Sequence, residues 1–134
     1  MPACDGSRGE AGGSAVILVV GGRGQGKLDY VRKRYGIDAG KIGSGLDENR
    51  VIYGLQEIVR RLVETGCDPL AEVLRHAEGH PDAIYICDEV GCGVVPVASD
   101  ERQWREAVGR VCTALAERAE GVERVFCGIA MTIK

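Results

Sequence analysis

Aromatic side chains are scarce in this chain: one Trp, one Phe and four Tyr make up 4% of 134 residues. Charge of either sign is not in excess, because 17 basic residues face 20 acidic ones and the net charge is −3. With neither stacking faces nor a basic stripe, nucleic acid is not expected as a partner. Six cysteines, at positions 4, 67, 87, 92, 112 and 127, contain no C-x-x-C pair, so the spacing of a zinc site is missing. Secreted disulfide scaffolds are shorter and denser in cysteine. The expectation is reduced thiols in a cytoplasmic protein, with Cys87, Cys112 and Cys127 as small core residues inside apolar runs. No apolar stretch reaches the length of a membrane span, and the N-terminal residues lack the basic and apolar regions of a signal peptide. Histidine is nearly absent too: His76 and His80 are the only two. There is no internal repeat.

What is present is concentrated near the start. An apolar run, Ala15-Val16-Ile17-Leu18-Val19-Val20, leads into Gly21-Gly22-Arg23-Gly24-Gln25-Gly26-Lys27, and a helical pattern follows. Glycine, four residues, then Gly-Lys is the phosphate-loop spacing in the strand-then-helix context that it needs. Glycines let the backbone curl until several N–H groups point at phosphate oxygens, and a helix N-terminus adds positive potential. Gly21, Gly22, Gly24, Gln25, Gly26, Lys27 and Leu28 are thus the candidate nucleotide-binding residues, with ATP or GTP as ligand. Leu28 stands where a Ser or Thr hydroxyl would hold Mg²⁺, so the motif is complete for phosphate and incomplete for metal.

The rest of the chain reads as one domain over 15–134 behind a loose, Gly-rich tail over 1–14. The run at 15–20 has no polar alternation and predicts a strand buried on both faces, as in a parallel sheet. A helix carries Leu28, Val31 and Tyr35 on one side and stops at Gly36. Four glycines between 36 and 50 argue for an irregular, mobile segment. Val51–Tyr53 reads as a very short strand or as the lead into the next helix. That helix places Leu55, Ile58, Val59, Leu62 and Val63 on one stripe, with Glu57–Arg61 and Arg60–Glu64 as surface pairs. Asp68-Pro69 opens another helix that Gly79-His80-Pro81 ends.

Residues 82–87 predict a second buried strand, which delivers Asp88 and Glu89 at its C-terminal end. A strand ending in acids, set beside a glycine loop, is where a carboxylate orients Mg²⁺ or a water in phosphoryl transfer. Lys27, Asp88 and Glu89 are therefore the candidate catalytic residues, with Asp88 or Glu89 as the candidate Mg²⁺ ligand. The glycine-punctuated loop that follows, with Gly91, Gly93 and Pro96, is placed to wall a second substrate. Asp100 and Gln103 suggest a capped start to a long helix over 100–119, with Trp104, Val108, Val111 and Leu115 at helical spacing. Residues 123–134 are strand-like, with a break at Gly128. The expected architecture is α/β: a P-loop NTPase-like three-layer fold with a small, mainly parallel sheet.

The string Glu89-Val90-Gly91-Cys92-Gly93-Val94-Val95-Pro96, the later Ala107–Val111 and the ending from Cys127-Gly128-Ile129 to Ile133-Lys134 carry a resemblance. Together with the early glycine loop they resemble the bifunctional adenosylcobinamide kinase/adenosylcobinamide-phosphate guanylyltransferase family of cobalamin biosynthesis. The resemblance implies an enzyme that phosphorylates the aminopropanol hydroxyl of adenosylcobinamide from a nucleoside triphosphate. It also implies transfer of GMP onto that phosphate through a histidine–GMP intermediate, and assembly as a homo-oligomer. The chain is shorter than familiar members between the glycine loop and residue 84, where the family carries its guanylylated histidine. Residues 28–75 contain no histidine, which leaves His76 and His80 as the candidates. The alternative to a kinase is a P-loop module that keeps nucleotide affinity and has lost catalysis, in a regulatory or scaffold role. Leu28 marks where the two readings part.

Overall fold

The computed structural model describes residues 14–90 and 99–134. The expected tail, apart from Ser14, lies outside the described residues, and so do Gly91, Gly93 and Pro96 of the expected substrate-side loop. In chain order the elements are β1 (Ile17–Gly21), α1 (Lys27–Tyr35), a short helical turn at Ala39–Lys41, β2 (Ile42–Gly43) and β3 (Val51–Tyr53). There follow α2 (Leu55–Glu64), α3 (Pro69–Gly79), β4 (Ile84–Asp88), α4 (Ser99–Arg118), β5 (Gly121–Phe126) and β6 (Ile129–Thr132). The strands form one sheet in the order β2-β3-β4-β1-β5-β6. All neighbours are parallel except β6, which runs antiparallel to β5.

The unbroken apolar runs of β1 and β4 make sense once both faces of the sheet are covered. Leu18, Ile52 and Tyr85 face one cluster with α2, α3 and α4. Val19, Val51 and Ile86 face the other, built around Val31 of α1. The described residues are α/β in three layers, one helix, sheet, three helices, consistent with the expected P-loop NTPase-like fold. Fully burying a side chain such as Leu18 or Ile86 contributes roughly 1.5–3 kcal/mol, so alternating faces of the same strand supply both cores. Among the described residues no helix is long and apolar enough to cross a membrane.

Local signals place the helix ends. Asp68 caps α3, its Oδ1 accepting from the Leu70 and Ala71 N–H groups at 3.1 and 3.5 Å, with Pro69 at the first helical position. Gly36 ends α1 in the left-handed conformation.

Several local expectations are corrected. The 36–50 segment is not irregular throughout, because β2 pairs with β3 as the edge of the sheet, Ile42 opposite Val51. Val51–Tyr53 is a strand, the first of the two readings given for it. On α2, Arg60 turns to Glu57 at 3.6 Å and to Glu101 of α4 at 3.1 Å rather than to Glu64. Arg61 donates to the Ser44 carbonyl at 2.6 Å. Tertiary partners outcompete the weak pairs of an isolated helix. Helix α4 is under way at Ser99, so Asp100 is a first-turn acid that suits the helix dipole, not the cap. Cys87 is buried and Cys112 partly so, but Cys127 is exposed, because β5 has ended and the chain is turning there.

The topology opens a crevice at a defined place. From β1 the chain leaves through α1 on one face; from β4 it leaves through α4 on the other and returns at β5, beyond β1. The C-terminal ends of β1 and β4 are where the two connections diverge, and Gly21 and Asp88 are register partners there. Such switch points are where open parallel sheets bind ligands.

Candidate functional site

The loop Gly21–Gly26 occupies that switch point and runs straight into α1. Two of its glycines are required by geometry. A Cβ on Gly21 would lie 2.5 Å from the Val125 carbonyl oxygen of β5. Gly26 sits at φ 86°, in the left-handed region, as the N-cap of α1. Among the described residues no side chain caps that helix end, so its first N–H groups keep their positive potential for an anion.

Lys27, the first residue of α1, is only 5% exposed. A buried ammonium needs partners, and this one has two: it donates to the Gly22 carbonyl at 2.8 Å and pairs with the Asp88 carboxylate at 2.7 Å. The sheet register therefore brings together two of the three predicted catalytic residues, 61 positions apart in the chain. Around them opens a cleft of about 420 Å³. Arg23, Gly24 and Gly26 form one side and Leu28 and Asp29 of α1 continue it; Tyr53, Gln56 and Glu57 face them from β3 and α2.

Glu89, the third predicted residue, is turned elsewhere. It accepts two hydrogen bonds from Arg124 of β5, at 2.8 and 3.1 Å, while its N–H donates to the Gly21 carbonyl at 2.9 Å. It thus ties β4 to β5 beneath the loop. Leu28 packs into the α1-side core where a hydroxyl was expected, while still edging the cleft. Gln25 holds the loop from outside: its Oε1 accepts from the Cys127 N–H and its carbonyl from the Gly128 N–H, both at 2.8 Å. Cys87, just before Asp88, is buried, and its side-chain hydrogen bond with Cys112 and its burial push its thiol up.

Gln56 is the residue that sequence reasoning missed. Its side-chain amide donates to Asp88 Oδ2 at 3.2 Å while its Oε1 accepts from the Asp88 N–H at 3.0 Å. The Gln56 carbonyl accepts from the Trp104 indole at 2.8 Å, and Arg60 lies 3.9 Å over the Trp104 ring. Trp104, on the helical stripe of α4, supports Asp88 through α2. No motif announces Gln56; the one available signal is its place just past the C-terminal end of a parallel strand.

Neither histidine reaches this cleft. His76 hydrogen-bonds the Tyr85 hydroxyl at 2.6 Å and the Asp47 carbonyl at 2.7 Å, so both ring nitrogens are engaged. The carbonyl only accepts, so Nε2 donates to it, and in the neutral ring Nδ1 accepts from the hydroxyl. His80 stacks on it with ring centroids 4.1 Å apart. Among the described residues no group of three or more His, Cys, Asp or Glu gathers as a metal site. Mg²⁺ is commonly held by one or two carboxylates together with substrate phosphates and waters, and Asp88 and Glu57 in the cleft fit that mode.

Comparison with curated proteins gives no match. A protein-family model described as cobinamide kinase / cobinamide phosphate guanyltransferase matches residues 47–133. The matched span carries Gln56, Asp88, Glu89 and Arg124 and begins after the glycine loop. It takes in well over half of the sequence, and the chain belongs to the cobinamide kinase / cobinamide phosphate guanyltransferase family.

Proposed function

We propose that the protein is a nucleotide-dependent kinase that phosphorylates the hydroxyl of a cobinamide, with ATP or GTP as donor. The observation that carries this reading is the Lys27–Asp88 pair, 2.7 Å long, at the mouth of a glycine loop in a member of this family. The triphosphate lies over the uncapped N-terminus of α1. An arriving phosphate competes with Asp88 for Lys27, so binding turns the ammonium to the terminal phosphates and frees the carboxylate. The acceptor hydroxyl enters from the Tyr53–Glu57 side. Its oxygen attacks the terminal phosphorus, the bond to the bridging oxygen breaks, nucleoside diphosphate leaves, and Asp88 receives the hydroxyl proton. Positioning and charge neutralisation do most of the work in such transfers. Mg²⁺, when bound, would neutralise phosphate charge, and Glu57 in the cleft wall would hold it with the phosphates and waters. Gln56 keeps Asp88 aimed into the cleft.

The guanylyltransferase half of the family's chemistry has no histidine at this cleft, and we assign the chain the kinase step alone. The test is phosphate transfer from ATP or GTP to cobinamide. Turnover above a Lys27→Ala control supports the proposal, and turnover equal to that control overturns it. Leu28 in place of a hydroxyl favours one second reading, a nucleotide-binding module without catalysis. Nucleotide-induced thermal stabilisation that ignores Mg²⁺, without turnover, would establish it. The homo-oligomer expected from the resemblance is tested by light scattering at micromolar concentration.

A further inference from the structure

Two of the cysteines meet across the core. Cys87, near the end of β4, is 1% exposed. Cys112 lies in α4, which covers that face of the sheet, and is partly exposed. Their thiols are hydrogen-bonded to one another. Cys67 and Cys127 are exposed and stand elsewhere, between α2 and α3 and just past β5. We propose that Cys87 and Cys112 form a reversible oxidation site, where hydrogen peroxide closes a disulfide that ties α4 to β4 beside Asp88. The bond is independent of the nucleotide reading; its effect on turnover rests on that reading.

A cysteine that only fills space packs as a small hydrophobe and needs no thiol partner. Here two thiols meet from elements that packing holds in place. Cys87 is in register with Val20 of β1, and α4 is seated through Val108, Val111 and Leu115. The two sulfurs therefore need no unfolding to react. Cys112 takes the attacking role. It is the more exposed of the two, and its thiol is lowered by the hydrogen bond from Cys87, with burial opposing.

The electrons balance with peroxide as oxidant. The Cys112 sulfur attacks one peroxide oxygen, the O–O bond breaks, and the departing hydroxide leaves with the Cys112 proton as water. A sulfenic acid remains on Cys112. The Cys87 sulfur then attacks the Cys112 sulfur. The S–S bond forms, the S–O bond breaks, and hydroxide leaves with the Cys87 proton as a second water. The two thiols lose two electrons and the peroxide gains them.

The bond has a physical route to the cleft. A disulfide holds its sulfurs closer than a hydrogen bond does, so α4 must shift against β4, whose Cys87 and Asp88 are paired with Val20 and Gly21 of β1. Trp104 of the same helix donates to the Gln56 carbonyl at 2.8 Å, and Gln56 holds Asp88 through both its N–H and its carboxylate. The Cys87 S–H also lies 3.4 Å from the Asp88 carbonyl oxygen, a contact that oxidation removes.

The experiment treats the reduced full chain with a small excess of hydrogen peroxide. Loss of two hydrogens in the intact mass is expected, reversed by dithiothreitol. Digestion on the N-terminal side of aspartates cuts at Asp88 and so separates Cys87 from Cys92; the linked peptides should join Cys87 to Cys112. Cobinamide phosphorylation should fall roughly tenfold and recover on reduction, within the range that coupling through packed elements carries. Cys112→Ser should keep the turnover of the reduced wild type and lose both the bond and the inhibition, with Cys112→Ala as the second variant if the serine form does not fold. Absence of the Cys87–Cys112 link, or links formed only through Cys4, Cys67, Cys92 or Cys127, overturns the site. A mapped Cys87–Cys112 bond that leaves turnover unchanged overturns its connection to Asp88. If the reduced chain shows no turnover, the kinase reading falls alone, and the peptide map still decides the site.

Discussion

Strand β4 carries a polar cluster at each end, and the two are built on opposite principles. At its C-terminal end, Asp88 meets Lys27 in an ion pair that borders open space, with an uncapped helix end beside it. Near its N-terminal end, Tyr85 meets His76 in a buried hydrogen bond, and Asp47 and His80 complete the set. The first cluster has groups that an arriving anion can re-pair. The second has its polar atoms matched to a backbone carbonyl, a hydroxyl or a stacked ring. Buried polar groups satisfied in this way specify a structure, whereas a pair that can exchange partners at a cleft is suited to chemistry. Histidine is the residue one looks to first for reactivity, yet here both histidines lie at the end away from the Lys27 cleft.

Substitutions at the two ends should separate accordingly. Lys27→Ala removes the cation from the reactive end and should cut phosphoryl transfer by roughly 10²–10³-fold, the usual effect of losing one charge-stabilising donor, measured as steady-state turnover. At the other end, Tyr85→Phe leaves His76 Nδ1 buried without its hydroxyl and should cost about 1–3 kcal/mol in urea unfolding. Nucleotide affinity of the folded variant should be unchanged; a loss there would join the two clusters functionally and break the contrast.

Gln56→Ala releases Asp88 without touching the phosphate loop. The expected outcome is a fall in kcat of about tenfold, or about 1.4 kcal/mol, with nucleotide affinity nearly preserved. An equal loss in both would instead make Gln56 a ligand contact. The smallest effect concerns pH. His80 is raised above 6.5 mainly by its hydrogen bond to the His76 carbonyl, burial opposing, with Glu48 and Asp82 adding to the rise. A raised histidine adds stability that is complete below pH 6.5 and fades as pH climbs through the raised midpoint. Glu48→Gln should lower that midpoint in an NMR titration of His80, while turnover at the far end keeps its pH profile.

The contrast also explains what could be read in advance. The glycine loop, Lys27 and the acidic end of β4 were legible as neighbours of one crevice because glycine spacing and strand-end acids are local features of the sequence. Helix α3 was legible from Asp68 and Pro69 for the same local reason. The Asp88 clamp was not: Gln56 and Trp104 lie 32 and 16 positions from Asp88, and an amide and an indole are unremarkable until packing sets them beside a carboxylate. Asp88 and Glu89 were indistinguishable as sequence neighbours. Asp88 ends β4 and Glu89 lies just past it, and one meets Lys27 while the other meets Arg124. The pairs expected on α2 failed because Glu101 of α4 and the carbonyl of Ser44 were invisible to a one-helix argument.

By itself, then, the sequence determined the α/β class, the buried parallel strands and the position of the glycine loop between β1 and α1. Each depends on residues within about one turn or one strand of one another. Only the tertiary structure decided which acid faces the lysine, that Gln56 hydrogen-bonds that acid, that both histidines lie away from the Lys27 cleft, and that a second cleft flanks the same helix end. Those outcomes depend on sheet order and register, which bring distant residues within hydrogen-bonding distance and leave no trace in local spacing.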